Sequence, residues 1–155
     1  MPLWRNMSNI TVRQAALSDL EALVPLFDGY RQFYGRPSDI PAVREFLLAR
    51  FNHGESTLFI AHKDNLPVGF TQLYPSFSSV SLARVFVLND LFVHEQARRK
   101  GVAFKLMTAA TDFAKLLGAV RVSLSTATSN ETAQALYQFA GWKRDEQFFV
   151  YHFAI

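Results

Sequence analysis

The chain has 155 residues, half of them apolar, which allows one domain to bury a substantial core without disulfides or metal. It has no cysteine, which excludes disulfide scaffolds, thiol nucleophiles and cysteine-based zinc sites; its four histidines (His53, His62, His94, His152) are dispersed, so no metal site is expected. The net charge of +3 is matched by Arg98, Arg99 and Lys100 alone, which points to a local basic site rather than a face that binds nucleic acid. No run of 18 apolar residues occurs, and MPLWRNMSN lacks a signal-like apolar stretch. The expectation is a cytoplasmic protein with no membrane partner, a single domain over 1–155 in which residues 1–9 form a short disordered leader.

Residues 10–15 alternate like a strand, and Ser18-Asp19-Leu20-Glu21 opens a helix with a capping-box-like pattern through about Tyr34. After Gly35-Arg36-Pro37 a second helix fits Ile40 to Phe51, with Val43, Phe46, Leu47 and Arg50 on one face and Asn52-His53-Gly54 ending it. Residues 57–62 and 67–74 read as a hairpin joined by Lys63-Asp64-Asn65. Leu82 to Val93 is apolar on both faces except at Asn89 and Asp90, as expected of a central strand. From Gly101 to Leu117, Lys105, Thr108, Asp112 and Lys115 leave Val102, Leu106, Ala109, Phe113 and Leu117 as a buried stripe. Gly118 caps that helix, Arg121 to Ser125 is a strand, Asn130 to Phe139 a helix, and Trp142 to Phe153 a closing strand or hairpin. The order β α α β β β α β α β β predicts an α/β (α+β) fold, a mixed and mostly antiparallel sheet of six to seven strands with helices on both faces.

The segment Arg98-Arg99-Lys100-Gly101-Val102-Ala103 joins a buried strand to a helix. It places backbone N–H groups at the positive end of a helix dipole, with a glycine for close approach and cations beside it, an anion cradle suited to a phosphate or pyrophosphate. A solvated loop with a glycine at a helix start is the plainer reading. Neither a P-loop nor the dinucleotide glycine signature occurs.

This loop resembles the Gln/Arg-x-x-Gly-x-Gly/Ala loop of the GNAT superfamily of acetyl-coenzyme A-dependent N-acetyltransferases. The strand Asn89-Asp90-Leu91-Phe92-Val93 before it, and Ser129 to Tyr137 followed by Gly141-Trp142 after it, match the family in order and spacing. Ala103 stands where glycine is more common, and Trp142 where Phe is usual. The Asn-Asp-Leu-Phe-Val wording is similar to the branch that acetylates polyamines, small amines or histone lysines. The resemblance implies the GNAT fold, acetyl-coenzyme A as cosubstrate without metal, and an amine acceptor.

It also implies roles. Arg98, Arg99, Lys100, Gly101, Val102, Ala103 and Phe104 would hold the coenzyme pyrophosphate, and Leu91, Phe92 and Val93 would form a rail for the pantetheine arm, with the Val93 N–H as an oxyanion donor. Tyr137 would be the general acid near the coenzyme sulfur; by spacing alone it shares a face with Ala133, Leu136 and Ala140 and reads as a packing aromatic. Asn130 reads as a helix cap, and the resemblance adds a contact with the pantetheine arm. Asp90 is the candidate to receive the amine's proton, a structural carboxylate being the equal alternative, with Glu95 as fallback. Tyr30 and Tyr34, with Tyr74 opposite, would line the acceptor site, and Phe33 reads as core. A non-catalytic binding module is the rival reading, and the alternating Gln147 to Phe153 segment raises the expectation of a homodimer.

Overall fold

The computed structural model describes residues 9–155, so the expected leader lies, apart from Asn9, outside the described residues. The chain forms two compact units, one ending at Ser125 and the other comprising Thr126–Ile155. The first holds β1 (Ile10–Gln14), α1 (Leu20–Phe33), α2 (Ile40–His53), β2 (Thr57–Lys63), β3 (Leu66–Ser78), β4 (Ala83–Val93), α3 (Val102–Leu116) and β5 (Val122–Ser123). The second holds α4 (Glu131–Phe139). The strands form one sheet in the order β1-β2-β3-β4-β5, antiparallel except for the parallel β4–β5 pair.

Alternation along β2 sends Leu58 and Ile60 to one face of this sheet, where they join Leu23, Phe27, Leu47 and Phe70 in a core beneath α1 and α2. Phe59 points the other way, to an edge contact with Phe113 of α3, which Phe86 also meets. Helices therefore cover both faces, as expected. The hairpin turn is also as expected: Asp64 and Asn65 both take positive φ, the requirement of a tight turn whose twist matches its strands. Among the described residues, no helix is long and apolar enough to cross a membrane.

The start of the first helix differs from the sequence reading. A 3-10 turn, Leu17–Asp19, precedes α1, and Asp19 rather than Ser18 serves its start: its carboxylate accepts from Ala16 N at 2.8 Å and from both Arg13 Nη atoms at 2.7 Å. The Arg13 guanidinium holds the Asp19 carboxyl down at about 2. A depressed carboxylate stabilises the fold above the unfolded value of about 3.9 and loses that contribution as the pH falls through its folded value. Urea unfolding should show stability declining between about pH 4 and 2, with a flatter profile for Asp19→Asn and a cost near 1 kcal/mol at neutral pH, since Arg13 is half exposed.

The end of the chain departs most from expectation. The closing strand or hairpin predicted over Trp142 to Phe153 does not form, so among the described residues the sheet has five strands rather than six or seven. Alternating apolar residues make a strand only where a neighbouring edge supplies ladder bonds. Residues 142–155 have none; instead Asp145 Oδ1 accepts from Gln147 N and Phe148 N, which bends the chain into a turn.

Candidate active site

The site is set by an irregularity in β4. Leu73 pairs with Leu88 and Gln72 pairs with Asp90, so Asn89 is an extra residue without a partner in β3, a β-bulge. Without it, Asp90 would share the face of Phe86 and point toward α3, because side chains alternate with a period of two. The extra residue reverses the parity. Asp90 turns to the α1 face, and Phe92 follows, its ring 6.5 Å from that of Tyr30.

There Asp90 lines a cavity of about 470 Å³ with Phe27, Tyr30, Tyr34, Phe46 and Tyr74 as aromatic walls. Asn89 lines it too, so the bulge brings both polar residues of the strand to one hollow. Asp90 is 3% exposed; its Oδ2 accepts from Gln72 Nε2 at 2.6 Å and its Oδ1 from Asn89 Nδ2 at 2.9 Å. Gln72, itself fully buried, is oriented by Ser56, whose hydroxyl donates to its Oε1 at 2.7 Å. Burial pushes the Asp90 carboxyl above the usual carboxylate range, while the bonds from Gln72 and Asn89 oppose that shift in part. A carboxylate raised in this way is a better proton acceptor than one in water.

The tyrosines respond in the opposite sense. Tyr30 donates to the Asn89 carbonyl at 3.2 Å, and burial, then the nearby Asp90 charge, push its phenol far up. The same two causes push Tyr74 up to about 12. Both remain neutral donors at any physiological pH. Gly29 allows α1 to approach: a Cβ there would lie 3.1 Å from the Phe92 ring, and the next residue is Tyr30.

A second hollow of about 750 Å³ lies between α1 and the segment after β4, lined by Phe33, Phe92, His94, Glu95 and Arg98 among others. Phe33 and Glu95 therefore border this hollow and not the Asp90 cavity. Phe33 is 58% exposed, a correction to its reading as core. The Arg98 guanidinium is 5.6 Å from the centroids of both Phe33 and Phe92, and its Nε donates to the Val93 carbonyl at 2.9 Å. Arg99 and Gly101 take positive φ, and Gly101 begins α3, whose first turn includes Val102, Ala103 and Phe104. Lys100 bonds the Gln96 carbonyl at 3.3 Å.

Beyond this loop, β5 pairs only with Phe86 and Val87, so Leu88 to Val93 has no strand partner on that side among the described residues. Phe86 N donates to Arg121 O there; alternation from Phe86, reset by the bulge, turns the main-chain groups of Leu91 and Val93 to the same open edge. An extended arm with amide groups fits such an edge as an added strand.

In the unit Thr126–Ile155, Asn130 caps α4, its side chain accepting from Ala133 N at 3.1 Å, as its residue type predicts. The Tyr137 ring lies 6.4 Å from that of Trp142, and Trp142 N donates to the Tyr137 carbonyl at 2.9 Å. The sequence reading missed Gln72, Phe27, Phe46, Arg31 and Arg36 as site residues. None of them was singled out for the site by that reading; Gln72 lies in the segment 67–74 that was read only as one arm of a hairpin.

Residues 23–142 match the model of the acetyltransferase (GNAT) family. An uncharacterised N-acetyltransferase, YhfO, of Bacillus subtilis (strain 168) is 44% identical over 142 residues, 92% of this chain and 95% of that protein. A crystal structure of a probable acetyltransferase, also 44% identical, superposes with a TM-score of 0.90 over 94% of this chain and 97% of its own. The aminoglycoside acetyltransferase AAC(6')-Iy, solved with a bisubstrate analogue built on coenzyme A, shares the fold at a TM-score of 0.77 and 22% identity, covering 94% of this chain and 99% of its own. None of these distinguishes the polyamine or histone branch. A family match across most of the sheet and helices, joined to a relative aligned over nearly the whole length of both chains, leads to one conclusion: the chain belongs to the GNAT family and is an acetyltransferase.

Proposed function

We propose that the chain is a single domain over 1–155 that transfers an acetyl group from acetyl-coenzyme A to a primary amine by direct attack in a ternary complex. The observation that carries this reading is a buried carboxylate, Asp90, turned by a bulge into an aromatic cavity beside the open edge of β4. Acetyl-coenzyme A supplies the acetyl group as an activated thioester. Leu91, Phe92 and Val93 would hold its pantetheine arm, and Arg98 through Phe104 its pyrophosphate; the family resemblance implies that Asn130 would contact the pantetheine arm and that Tyr137 would be the general acid.

An amine of pKa ~10.4 is neutral about once in ~2,500 molecules at pH 7, a cost of roughly 4.6 kcal/mol. Asp90 lowers that cost by first attracting the ammonium group and then taking its proton, directly or through a water. The neutral nitrogen forms the C–N bond as the C–S bond breaks, and the departing sulfur receives a hydrogen bond or proton from Tyr137. No cysteine is present to form a thiol-bound acetyl-enzyme. Acetyl-coenzyme A should bind in calorimetry without any amine, and Arg98→Ala with Lys100→Ala should weaken it about tenfold; no heat at millimolar ligand would refute the reading.

A cytoplasmic location and a homodimer belong to the same proposal. The second rests on the exposed apolar residues Phe148, Phe149, Val150, Tyr151 and Phe153 at the end of the chain, and a monomer mass in light scattering would remove it.

A further inference from the structure

The Asp90 cavity carries a charge pattern that its proposed catalytic role does not use. Arg31, in the last turn of α1, and Arg36, just beyond it, both line the cavity. They are brought together by the helix cap. Gly35 takes φ +82°, Gly35 N donates to Gln32 O at 2.9 Å, and Arg36 N donates to Arg31 O at 3.0 Å. This pairing ties the backbone of Arg36, the third residue beyond α1, to that of Arg31 in its last turn, and both side chains line the same cavity.

Among the described residues, neither arginine forms an ion pair. The nearest acid on the helix, Asp28, interacts with Arg31 through space, yet its oxygens are taken by Gln32 and Ser38 at 2.7 Å and by Asp39 N at 2.9 Å. Two cations with no carboxylate of their own thus share one cavity with a single buried acid. A substrate with several ammonium groups would meet repulsion from both arginines and find one carboxylate. A molecule with one amine and one carboxylate satisfies both charge signs: amine to Asp90, carboxylate to the guanidinium forks.

We infer that the acceptor is a free amino acid with a large apolar or aromatic side chain, its carboxylate bound by Arg31 and Arg36, its amine directed at Asp90, and its side chain packed among Phe27, Phe46 and Tyr74. This rests on the proposed acetyl transfer. The amino nitrogen gains the acetyl carbon, the thioester C–S bond breaks, one ammonium proton goes to Asp90 or its water and the second N–H proton leaves with the thiol. The product is an N-acetylated amino acid, a simple anion that remains complementary to the arginines.

The test measures thiol release from acetyl-coenzyme A with amino acids and their decarboxylated counterparts in matched pairs. Phenylalanine with phenethylamine and leucine with isoamylamine serve, beside spermidine and kanamycin as polycations. The expected result is a kcat/KM about 10- to 100-fold higher for the amino acid of a pair, with the ratio collapsing toward one in R31Q/R36Q mainly through KM. Equal rates within every pair, a preference for spermidine or kanamycin, or a ratio unchanged in R31Q/R36Q would overturn the inference and leave acetyl transfer standing. No thiol release with any amine would overturn both.

Discussion

Asp90→Asn is expected to lower kcat about 10²- to 10³-fold while leaving acetyl-coenzyme A affinity unchanged. The substitution removes the one buried carboxylate in the aromatic cavity but preserves its shape; its amide oxygen still accepts from Gln72, and its NH2 donates to Asn89 once the Asn89 amide turns over to present its oxygen. The fold should tolerate it. Burial raises the Asp90 carboxyl, so the folded state favours its protonated form, and ionisation at neutral pH works against stability; a neutral amide at this position removes that cost. Thermal unfolding should therefore show a midpoint equal to or above that of the natural chain. The pH profile gives the second readout. A base must be ionised to work, so kcat should fall on the acid side at a pH above the ordinary carboxylate value, and this limb should vanish in Asp90→Asn. A variant with full kcat, or with its acid limb intact, would return Asp90 to a purely structural role.

The second large effect is expected at Tyr137. Tyr137→Phe should lower kcat about 10- to 100-fold with coenzyme affinity nearly intact, the range of one hydrogen bond to a charged group. A phenol near ~10 is a weaker acid than a thiol near ~8.5, so complete proton transfer would be uphill by roughly 2 kcal/mol. Hydrogen-bonding the departing thiolate already captures most of the benefit. Thiols of lower pKa leave without that help, so the deficit of Tyr137→Phe should shrink with an acyl donor whose thiol is more acidic. An unchanged kcat with acetyl-coenzyme A would remove Tyr137 from the acid role.

The two expectations differ in origin. Tyr137 was reached through a motif, because a loop, a spacing and a helix cap are local and survive in the order of residues. Asn130 shows the same locality: a polar residue before an apolar-periodic run caps the helix that follows. The helix α3 was legible for a similar reason, since a helix facing a sheet must repeat its apolar residues every three or four positions, but its buried stripe was read only in part: Val102 and Leu106 are buried with Met107, Ala110 and Ala114, and Leu117 is exposed. Asp90 could be noticed but not oriented. Whether it faces α1 or α3 depends on one unpaired residue in a strand, and the bulge at Asn89 exists only relative to the pairing of β4 with β3.

The closing strand over Trp142 to Phe153 failed from the opposite side, since its alternation was plain but a ladder requires a partner that no local pattern supplies. The arginines at the cavity were invisible for a related reason: Arg31 and Arg36 are unremarkable in order, and a helix cap together with a strand from the far side of the unit gives them a common hollow. By itself, then, the sequence determined the helices, the cysteine-free chemistry and the basic glycine loop, all of which depend on neighbours along the chain. The tertiary structure alone decided which way Asp90 points and which charges it meets, because side-chain facing in a sheet is set by register, a property of two strands and never of one.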